Sequence, residues 1–181
     1  MNMPGDDEIV LRKFKRHDYP AIHKIFQANC PSYFAESQGR NLSDFLDRNA
    51  QNYYVVVIGD EIVGGGGYSV NYLKTAFISW VMFKPQFQNR QLGTLVLRQV
   101  IKKIRDGKKA EVIEAMASQH STAFFNKFNF TLLDVKPDFW ADGLNLHRFL
   151  LKVKFKKFEP PVKKQGFKKK GWEIKGNKGA N

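Results

Sequence analysis

The chain has 181 residues, of which 43% are hydrophobic and 26% charged, which suits one packed domain and excludes a globally disordered chain. Cys30 is the single cysteine, so an internal disulfide is excluded, and with no apolar leader after Met1 we expect a cytoplasmic protein. The longest apolar runs have the length of strands, so no membrane span is predicted. We predict no metal site.

The net charge of +13 is distributed unevenly along the chain. Residues 152–181 contain eleven lysines and two glutamates, which gives +9 and leaves +4 for the first 151 residues. We therefore predict one folded domain over residues 1–158 and a basic, lysine-rich tail over residues 159–181. Such a tail either contacts a polyanion, such as nucleic acid, or only keeps the protein soluble.

Hydrophobic periodicity and turn residues predict elements in the order β, α, α, β, β, β, α, β, α, β, β. The helices are expected to begin near Pro20 and Ser43 and to span 90–105 and 121–127. The strands are expected over residues 9–11, 53–58, 62–70, 76–84, 112–117, 130–135 and 144–155. This order predicts an α/β fold with a mixed central sheet of about seven strands and about four flanking helices.

Polar residues at the helix starts and glycines in one strand predict local geometry. Asp18 is expected to cap the first helix and Ser43 the second. The turn at 59–61 predicts a β-hairpin. Gly64–Gly67 lie inside its second strand with no helix after them, so they favour a bulge or a close approach over a phosphate-binding loop.

The segment 83–94 has the most specific local pattern, with a strand, Pro85, a turn, Gly93 and a helix in succession. Successive amides that lead into a helix N-terminus direct several N–H donors to one point, and the helix dipole adds positive potential. Gly93 would let an anion approach the backbone closely, and Lys84 and Arg90 could add positive charge. The segment is therefore either a pyrophosphate site or an ordinary strand-to-helix connection.

Two motifs resemble those of the GNAT acetyltransferase superfamily. Residues 88–93, with the sequence QNRQLG, are similar to its motif A, Gln/Arg-x-x-Gly-x-Gly/Ala, with Gln91 in place of the first glycine. Residues 121–130 are similar to its Ala-x-x-[Phe/Leu]-Tyr-x-x-x-Gly-Phe helix and strand entry, and the order of elements agrees over most of the chain. The segments 31–37 and 62–68 also resemble a poorly characterised branch of this family.

This resemblance implies a sheet splayed between its fourth and fifth strands, with acetyl-CoA in the V-shaped opening. The pantetheine arm would pair with the end of the fourth strand, and the amide of residue 82 or 83 would polarise the thioester carbonyl. A neutral primary amine would attack this carbonyl directly in a ternary complex, without a covalent enzyme intermediate. The cofactor-binding residues implied are Val81, Met82, Phe83, Gln88, Asn89, Arg90, Gln91, Leu92, Gly93, Thr94, Ser118 and Phe125.

The groups that would move protons depart from the family's pattern. Where the family commonly has a tyrosine that protonates the departing thiolate, this chain has Phe125, which points to a solvent-assisted proton or to a slow or inactive enzyme. Glu114, on the fifth strand, and His120, at its end, are the candidates for a base, and each also has a purely structural interpretation. A non-catalytic CoA-binding domain therefore stays open as an alternative.

The acceptor is expected to contact the loop after the first helix and the last strands. An aromatic wall with one or two carboxylates suits a cationic amine of a small molecule or of a protein, and a homodimer is compatible with this arrangement. In the tail, lysines interleave with Phe167 and Trp172, a pattern typical of nucleic-acid contact that gives a second alternative function. The candidate acceptor residues are Tyr33, Phe34, Glu36, Trp80, Trp140 and Asp142.

Overall fold

The computed structural model describes residues 8–108 and 110–153, and within them seven strands and four helices form one mixed α/β unit. The strands are β1 (Ile9–Lys13), β2 (Tyr53–Ile58), β3 (Glu61–Val70), β4 (Thr75–Phe83), β5 (Val112–Ala117), β6 (Thr131–Ala141) and β7 (Leu144–Lys152). The helices are α1 (Tyr19–Ala28), α2 (Gly39–Asn49), α3 (Leu92–Gly107) and α4 (Thr122–Asn126). The sheet order is β1-β2-β3-β4-β5-β7-β6. β4 and β5 pair in parallel and the other neighbours pair antiparallel, so the predicted fold class is confirmed.

Alternating residues of β2 divide the core between the two faces of the sheet. Tyr53 and Val55 pack with α1 and α2, whereas Tyr54 and Val56 pack with α3 and α4. Each helix contributes apolar side chains that recur once per turn, which is why these segments form amphipathic helices. Burial of each such side chain stabilises the fold by about 1.5–3 kcal/mol. The stripes are Ile22, Ile25 and Phe26 in α1, Leu42 and Leu46 in α2, and Val96, Val100 and Ile104 in α3.

The glycines of β3 allow its neighbours to approach closely. A Cβ atom on Gly66 would lie 2.8 Å from Val81 Cγ2 and 2.9 Å from Val96 Cγ1. A Cβ atom on Gly65 would lie 2.5 Å from the carbonyl oxygen of Tyr54. A side chain at Gly66 would push away α3 and the end of β4, and one at Gly65 would collide with β2. The interpretation of these glycines as sites of close approach is confirmed.

β4 and β5 pair only over their first residues, where Thr75–Ile78 lie beside Val112–Ala115. Further along, two residues of β4 stand opposite one residue of β3, and Trp80, in this bulge, has a left-handed φ of 56°. The Tyr53 hydroxyl donates to the carbonyl oxygen of Trp80 at 3.0 Å and holds the bulge in place. Because a bulge bends and twists its strand, β4 leaves β5 at this point. The expected splay between the fourth and fifth strands is confirmed.

The two predicted helix caps differ from the structure. Asp18 precedes α1, but its carboxylate accepts from Arg12 Nη1 and Nη2 at 2.7 and 2.8 Å and from the amide of Lys15 at 2.7 Å, so it anchors β1 instead of capping the helix. The prediction of Ser43 as an N-cap is wrong, because α2 begins at Gly39 and the Ser43 hydroxyl donates to the carbonyl oxygen of Gly39 at 3.2 Å. A serine inside a helix can donate to the preceding turn in this way.

Several element boundaries also differ. α3 begins at Leu92 and not at residue 90, and β6 continues to Ala141 instead of ending at 135. Pro137 lies within β6, which is at the edge of the sheet, where a proline need not break a ladder hydrogen bond. The predicted strand end at Phe155, the boundary at residue 158 and the basic tail lie outside the described residues. In the described part of the chain no helix has the length and apolar character to cross a membrane.

The Arg12–Asp18 pair generates a prediction about stability and pH. Burial opposes ionisation of Asp18, but hydrogen bonds from Arg12 and the Lys15 amide, with the charges of Arg12 and His17, outweigh it and lower the pKa of Asp18. Loss of charged hydrogen bonds in Asp18→Asn should reduce the free energy of unfolding by about 2 kcal/mol near neutral pH.

The sign of the pH effect follows from the lowered pKa. The carboxylate stabilises the fold fully above its unfolded pKa of about 3.9, and this contribution is lost as the pH falls through the lower folded value. Urea denaturation between pH 7 and pH 2 should therefore show the gap between wild type and Asp18→Asn narrowing only below about pH 4. A gap that stays constant to pH 2 would contradict this account.

Candidate active site

A cavity of about 410 Å³ lies where β4 and β5 diverge, between the start of α3, α4 and the loop after α1. Most of the residues predicted for cofactor and acceptor binding meet in it, although they come from four separate stretches of the chain. The predicted site residues that line the cavity are Tyr33, Phe34, Trp80, Val81, Met82, Phe83, Gln88, Asn89, Gln91, Leu92, Gly93, Thr94, Ser118, His120 and Phe125.

Glu114, one of the two candidate bases, does not line the cavity. Its carboxylate accepts from Arg148 Nη2 of β7 at 3.4 Å, and its side chain is mostly buried. This ion pair holds the Glu114 carboxylate against the neighbouring strand β7. Among the described residues that line the cavity there is no aspartate or glutamate, and the ionisable side chains are those of Tyr33, His120 and Lys127.

Other predicted residues also lie outside the cavity lining. Lys84 forms an ion pair with Glu61 of β3, and Arg90 lies over the ring of Phe87 with its guanidinium carbon 5.1 Å from the ring centroid. Glu36 begins the short turn Glu36–Gln38. Trp140 is near the end of β6 and contacts Phe139, and Asp142 lies in the turn before β7.

The segment 88–94, which we call the phosphate loop, presents amide donors to the cavity. No side chain within the described residues caps α3 at its N-terminus, and its first bond there runs from the amide of Leu95 to the carbonyl oxygen of Gln91 at 3.1 Å. The amides of Leu92, Gly93 and Thr94 precede that bond, so no helical carbonyl accepts from them. Three such amides and the helix dipole make an anion-binding site.

Gly93 and Gln91 shape this loop in different ways. A Cβ atom on Gly93 would lie 3.3 Å from Phe124 Cε2, so the glycine allows α3 to pack closely against α4. Gln91 occupies the position of the family's first glycine and has φ 61° and ψ 7°, a left-handed conformation that glycine adopts most easily. Gln91 therefore adopts a backbone conformation for which glycine is the usual residue.

Asn29 is a site residue that the sequence reasoning missed. It is 4% exposed, and its Nδ2 donates to the carbonyl oxygens of Ile25 at 2.8 Å and of Phe83 at 2.9 Å. Its Oδ1 accepts from Gln88 Nε2 at 2.9 Å. The side chain of Gln88 is thus directed into the protein, where it attaches the phosphate loop to the end of α1. An asparagine followed by Cys30 and Pro31 indicated only a helix end.

Phe125 is built into an aromatic cluster beside the cavity. It is 4% exposed and stacks on Phe149 with 5.0 Å between ring centroids. The rings of Phe124 and Phe130 pack edge-on against it, each at 5.3 Å. The ring therefore fits the core well, and it offers the cavity a surface without a hydroxyl group.

Aromatic side chains from several elements also line the cavity. Tyr33, in the loop after α1, meets His120 edge-to-face with 5.6 Å between ring centroids. Phe34 packs on Trp80 at 5.6 Å. We call residues 30–35 the acceptor loop, because they carry Tyr33 and Phe34, two of the residues that the sequence predicts to contact the acceptor.

Gln119, the neighbour of His120, joins the loop after β5 to the β6–β7 turn. Its Nε2 donates to the carbonyl oxygen of Gly143 at 2.8 Å, and its Oε1 accepts from the amide of Asn145 at 3.0 Å. These two bonds fix the loop that carries the imidazole. No local pattern of residues indicates this contact.

The thiol of Cys30 is not activated. Burial and the nearby charge of Glu36 both raise the pKa of Cys30. A raised pKa keeps the sulfur protonated, and a thiol is a poor nucleophile compared with a thiolate.

A second, basic groove of about 810 Å³ continues from the cavity along α3. The two share Asn89, Gln91, Thr94 and Lys127. Arg98, Lys102 and Arg105 line the groove on one face of the helix, and Lys102 pairs with Asp106 at 2.8 Å. Its positive charge favours phosphate groups.

The comparison with known families agrees with this geometry. Residues 19–130, more than half of the chain, match the model of the acetyltransferase (GNAT) family. The chain belongs to this family. No curated protein matches the sequence.

Solved GNAT structures share the fold at low sequence identity. Ard1 from Thermoplasma volcanium is 15% identical, with a TM-score of 0.70 over 81% of this chain and 99% of that one. The ribosomal-protein-S18-alanine N-acetyltransferase from Escherichia coli is 12% identical, with a TM-score of 0.68 over 84% and 99%. An aminoglycoside 6′-N-acetyltransferase complexed with coenzyme A is 12% identical, with a TM-score of 0.66 over 81% and 98%. The expected GNAT fold is confirmed.

The left-handed Gln91 generates a prediction for this GNAT domain. A residue other than glycine in this conformation costs about 1–2 kcal/mol, whereas glycine loses about 0.5–1 kcal/mol more on folding. Gln91 is exposed, so Gln91→Gly removes no packing and should raise the free energy of unfolding by about 0.5 kcal/mol in urea denaturation.

The control is Lys103→Gly at an exposed position inside α3, where glycine should destabilise the helix by about 1 kcal/mol. Equal destabilisation by both substitutions would contradict the account of the Gln91 turn.

Proposed function

We propose that this GNAT domain is an N-acetyltransferase that moves the acetyl group of acetyl-CoA to a primary amine by direct attack in a ternary complex. The observation that carries the proposal is the cavity between β4 and β5, whose lining combines the amide donors at the start of α3 with aromatic side chains. A charged thioester carrier requires both features: an anion site for its diphosphate and an apolar surface for its reactive group.

The residues present fit acetyl-CoA along its length. The amides of Leu92–Thr94 would bind the diphosphate. Arg98 and Lys127 of the basic groove would neutralise the remaining phosphate. Beyond Ile78 the edge of β4 that faces β5 is not paired with it, so Val81–Phe83 can pair with the pantetheine amides as an added strand would.

The chain's own groups suit direct transfer. Bound acetyl-CoA supplies the thioester: the amine nitrogen bonds to its carbonyl carbon while the carbon–sulfur bond breaks and CoA leaves as the thiolate. The amide of Met82 or Phe83 would donate to the carbonyl oxygen, where negative charge develops. His120 would take the proton that the amine loses, and solvent would protonate the thiolate. Cys30 does not line the cavity, so no acyl-enzyme step is assigned to it.

The aromatic part of the cavity lining suits an amine that is recognised by aromatic faces. Tyr33, Phe34 and Trp80 form its walls, and among the described lining residues no carboxylate pairs with a cation. An ammonium group can instead be bound over an aromatic ring. The E. coli structural neighbour is named for a ribosomal-protein alanine and another for an aminoglycoside, so we propose both protein and small-molecule amines as acceptor classes.

A non-catalytic CoA-binding domain is the second candidate function, and Phe125 favours it. The ring fills its site in the aromatic cluster and has no proton to donate. Glu114 is paired with Arg148 and lies outside the cavity lining. His120 therefore has no carboxylate beside it among the described residues that line the cavity. The two candidates share cofactor binding and differ in turnover.

The first test separates binding from turnover with His120→Gln. Calorimetric titration with CoA should show one site in both the wild type and the variant, because the imidazole is not among the groups proposed to bind the phosphates. CoA release in the presence of pooled amines and peptides should fall by about 10²-fold in the variant, because a general base is lost. His17→Gln, at a side chain that is 72% exposed, is the matched control.

The outcomes have different meanings. A wild-type protein that shows no heat with CoA or acetyl-CoA overturns the proposed function. Binding without release for any acceptor favours the non-catalytic domain, and release that is unchanged in His120→Gln removes the imidazole from the mechanism.

The second test restores the missing phenol with Phe125→Tyr. Because the ring lines the cavity, the new hydroxyl can point into it and protonate the departing thiolate. We expect CoA release to rise by about 10²-fold if proton delivery limits the rate. Phe130→Tyr, in the same cluster but outside the cavity lining, should give no gain, and equal gains in both variants would contradict the role assigned to this position.

A further inference from the structure

We infer that Asn29 is a positioning residue that connects the phosphate loop to the acceptor loop, so that cofactor binding at one orders the other. The inference rests on the proposed function, because it needs CoA at the phosphate loop. It assigns to a single buried amide a role that neither the motif nor the family match contains.

Three segments of the site converge on Asn29. Through its side chain it donates to Phe83 at the end of β4, where the pantetheine arm would pair, and accepts from Gln88 of the phosphate loop. Through its backbone carbonyl oxygen it accepts from the amide of Tyr33, in the acceptor loop, at 2.9 Å. One residue is therefore in direct hydrogen-bond contact with the cofactor strand, the cofactor loop and the acceptor loop.

The side chain of Asn29 has little freedom to make other bonds. Its two Nδ2 hydrogens are used by the carbonyl oxygens of Ile25 and Phe83, and its Oδ1 by Gln88. Because Asn29 is only 4% exposed, loss of one partner leaves a largely desolvated polar group, and this couples its hydrogen bonds to one another. A change in the position of Gln88 must therefore be accommodated by Asn29, and through its backbone by Tyr33.

The direction of the effect follows from linkage. A diphosphate held by the amides of Leu92–Thr94 restricts the phosphate loop and with it Gln88. This favours the bonded arrangement of Asn29, and the amide of Tyr33 then opens less often. By reciprocity, an acceptor that holds the acceptor loop in place strengthens cofactor binding by the same factor.

The test measures hydrogen exchange at the amide of Tyr33, by NMR, without and with saturating CoA. In the wild type we expect CoA to slow this exchange by about fivefold, the effect of stabilising one neutral hydrogen bond. The decisive variant is Gln88→Met, which keeps the length of the side chain and removes the amide that reaches Asn29. It should bind CoA no more than about fivefold more weakly, and CoA should no longer slow exchange at Tyr33.

The chain offers a matched control for Asn29 itself. Asn49, at the end of α2, donates to the carbonyl oxygen four residues before it, as Asn29 does in α1, but it does not line the cavity. Asn29→Ala should weaken CoA binding and abolish the slowing at Tyr33, whereas Asn49→Ala should change neither. Gln88→Met stays informative even where Asn29→Ala impairs folding, because Gln88 is only half-buried.

Each outcome decides the question. CoA binding in the wild type with no slowing at Tyr33, or equal slowing in wild type and Gln88→Met, overturns the coupling and leaves the proposed function standing. A wild-type protein that does not bind CoA overturns both, and calorimetry shows this before any exchange is measured.

Discussion

The separation of β4 from β5 is the constraint on which the rest of this structure depends. Parallel pairing ends at Ile78 and Ala115, and the bulge at Trp80 turns β4 away from its neighbour. The glycines of β3 make this bend sterically possible, since a side chain at Gly66 would collide with the bulged strand and with α3. A continuous ladder of hydrogen bonds between β4 and β5 would close the cavity. The free amides at the start of α3 would then have no space beside them for a ligand.

The groups that line the cavity determine which ligands it suits. The phosphate loop supplies main-chain donors and α3 a row of cations, both suited to an anionic carrier. The rest of the lining supplies aromatic faces and one imidazole. With Phe125 in the aromatic cluster and Glu114 bound to Arg148, the proposed acid–base chemistry would depend on His120 and solvent. The residues present thus suit binding of a phosphorylated carrier better than proton transfer.

Local signals in the sequence predicted the fold and the turn that leads into α3. Helical spacing such as Val96, Val100 and Ile104 fixes which face of a segment is buried, and a strand, a proline and a turn before a helix place free amides at one point whatever surrounds them. Ends were predicted less well because they depend on neighbours. Pro137 is tolerated only because β6 is an edge strand, and Ser43 lies inside α2 because that helix begins a turn earlier.

By itself, then, the sequence determined the order and type of the elements, the tight packing around Gly64–Gly67 and the donor-rich turn before α3, because these follow from contacts between residues close in the chain. The tertiary structure decided which polar side chains work together. Arg148 reaches Glu114 across 34 positions, and Gln88 reaches Asn29 across 59. No pattern within one segment encodes such pairs, since each forms only when the sheet brings distant segments side by side.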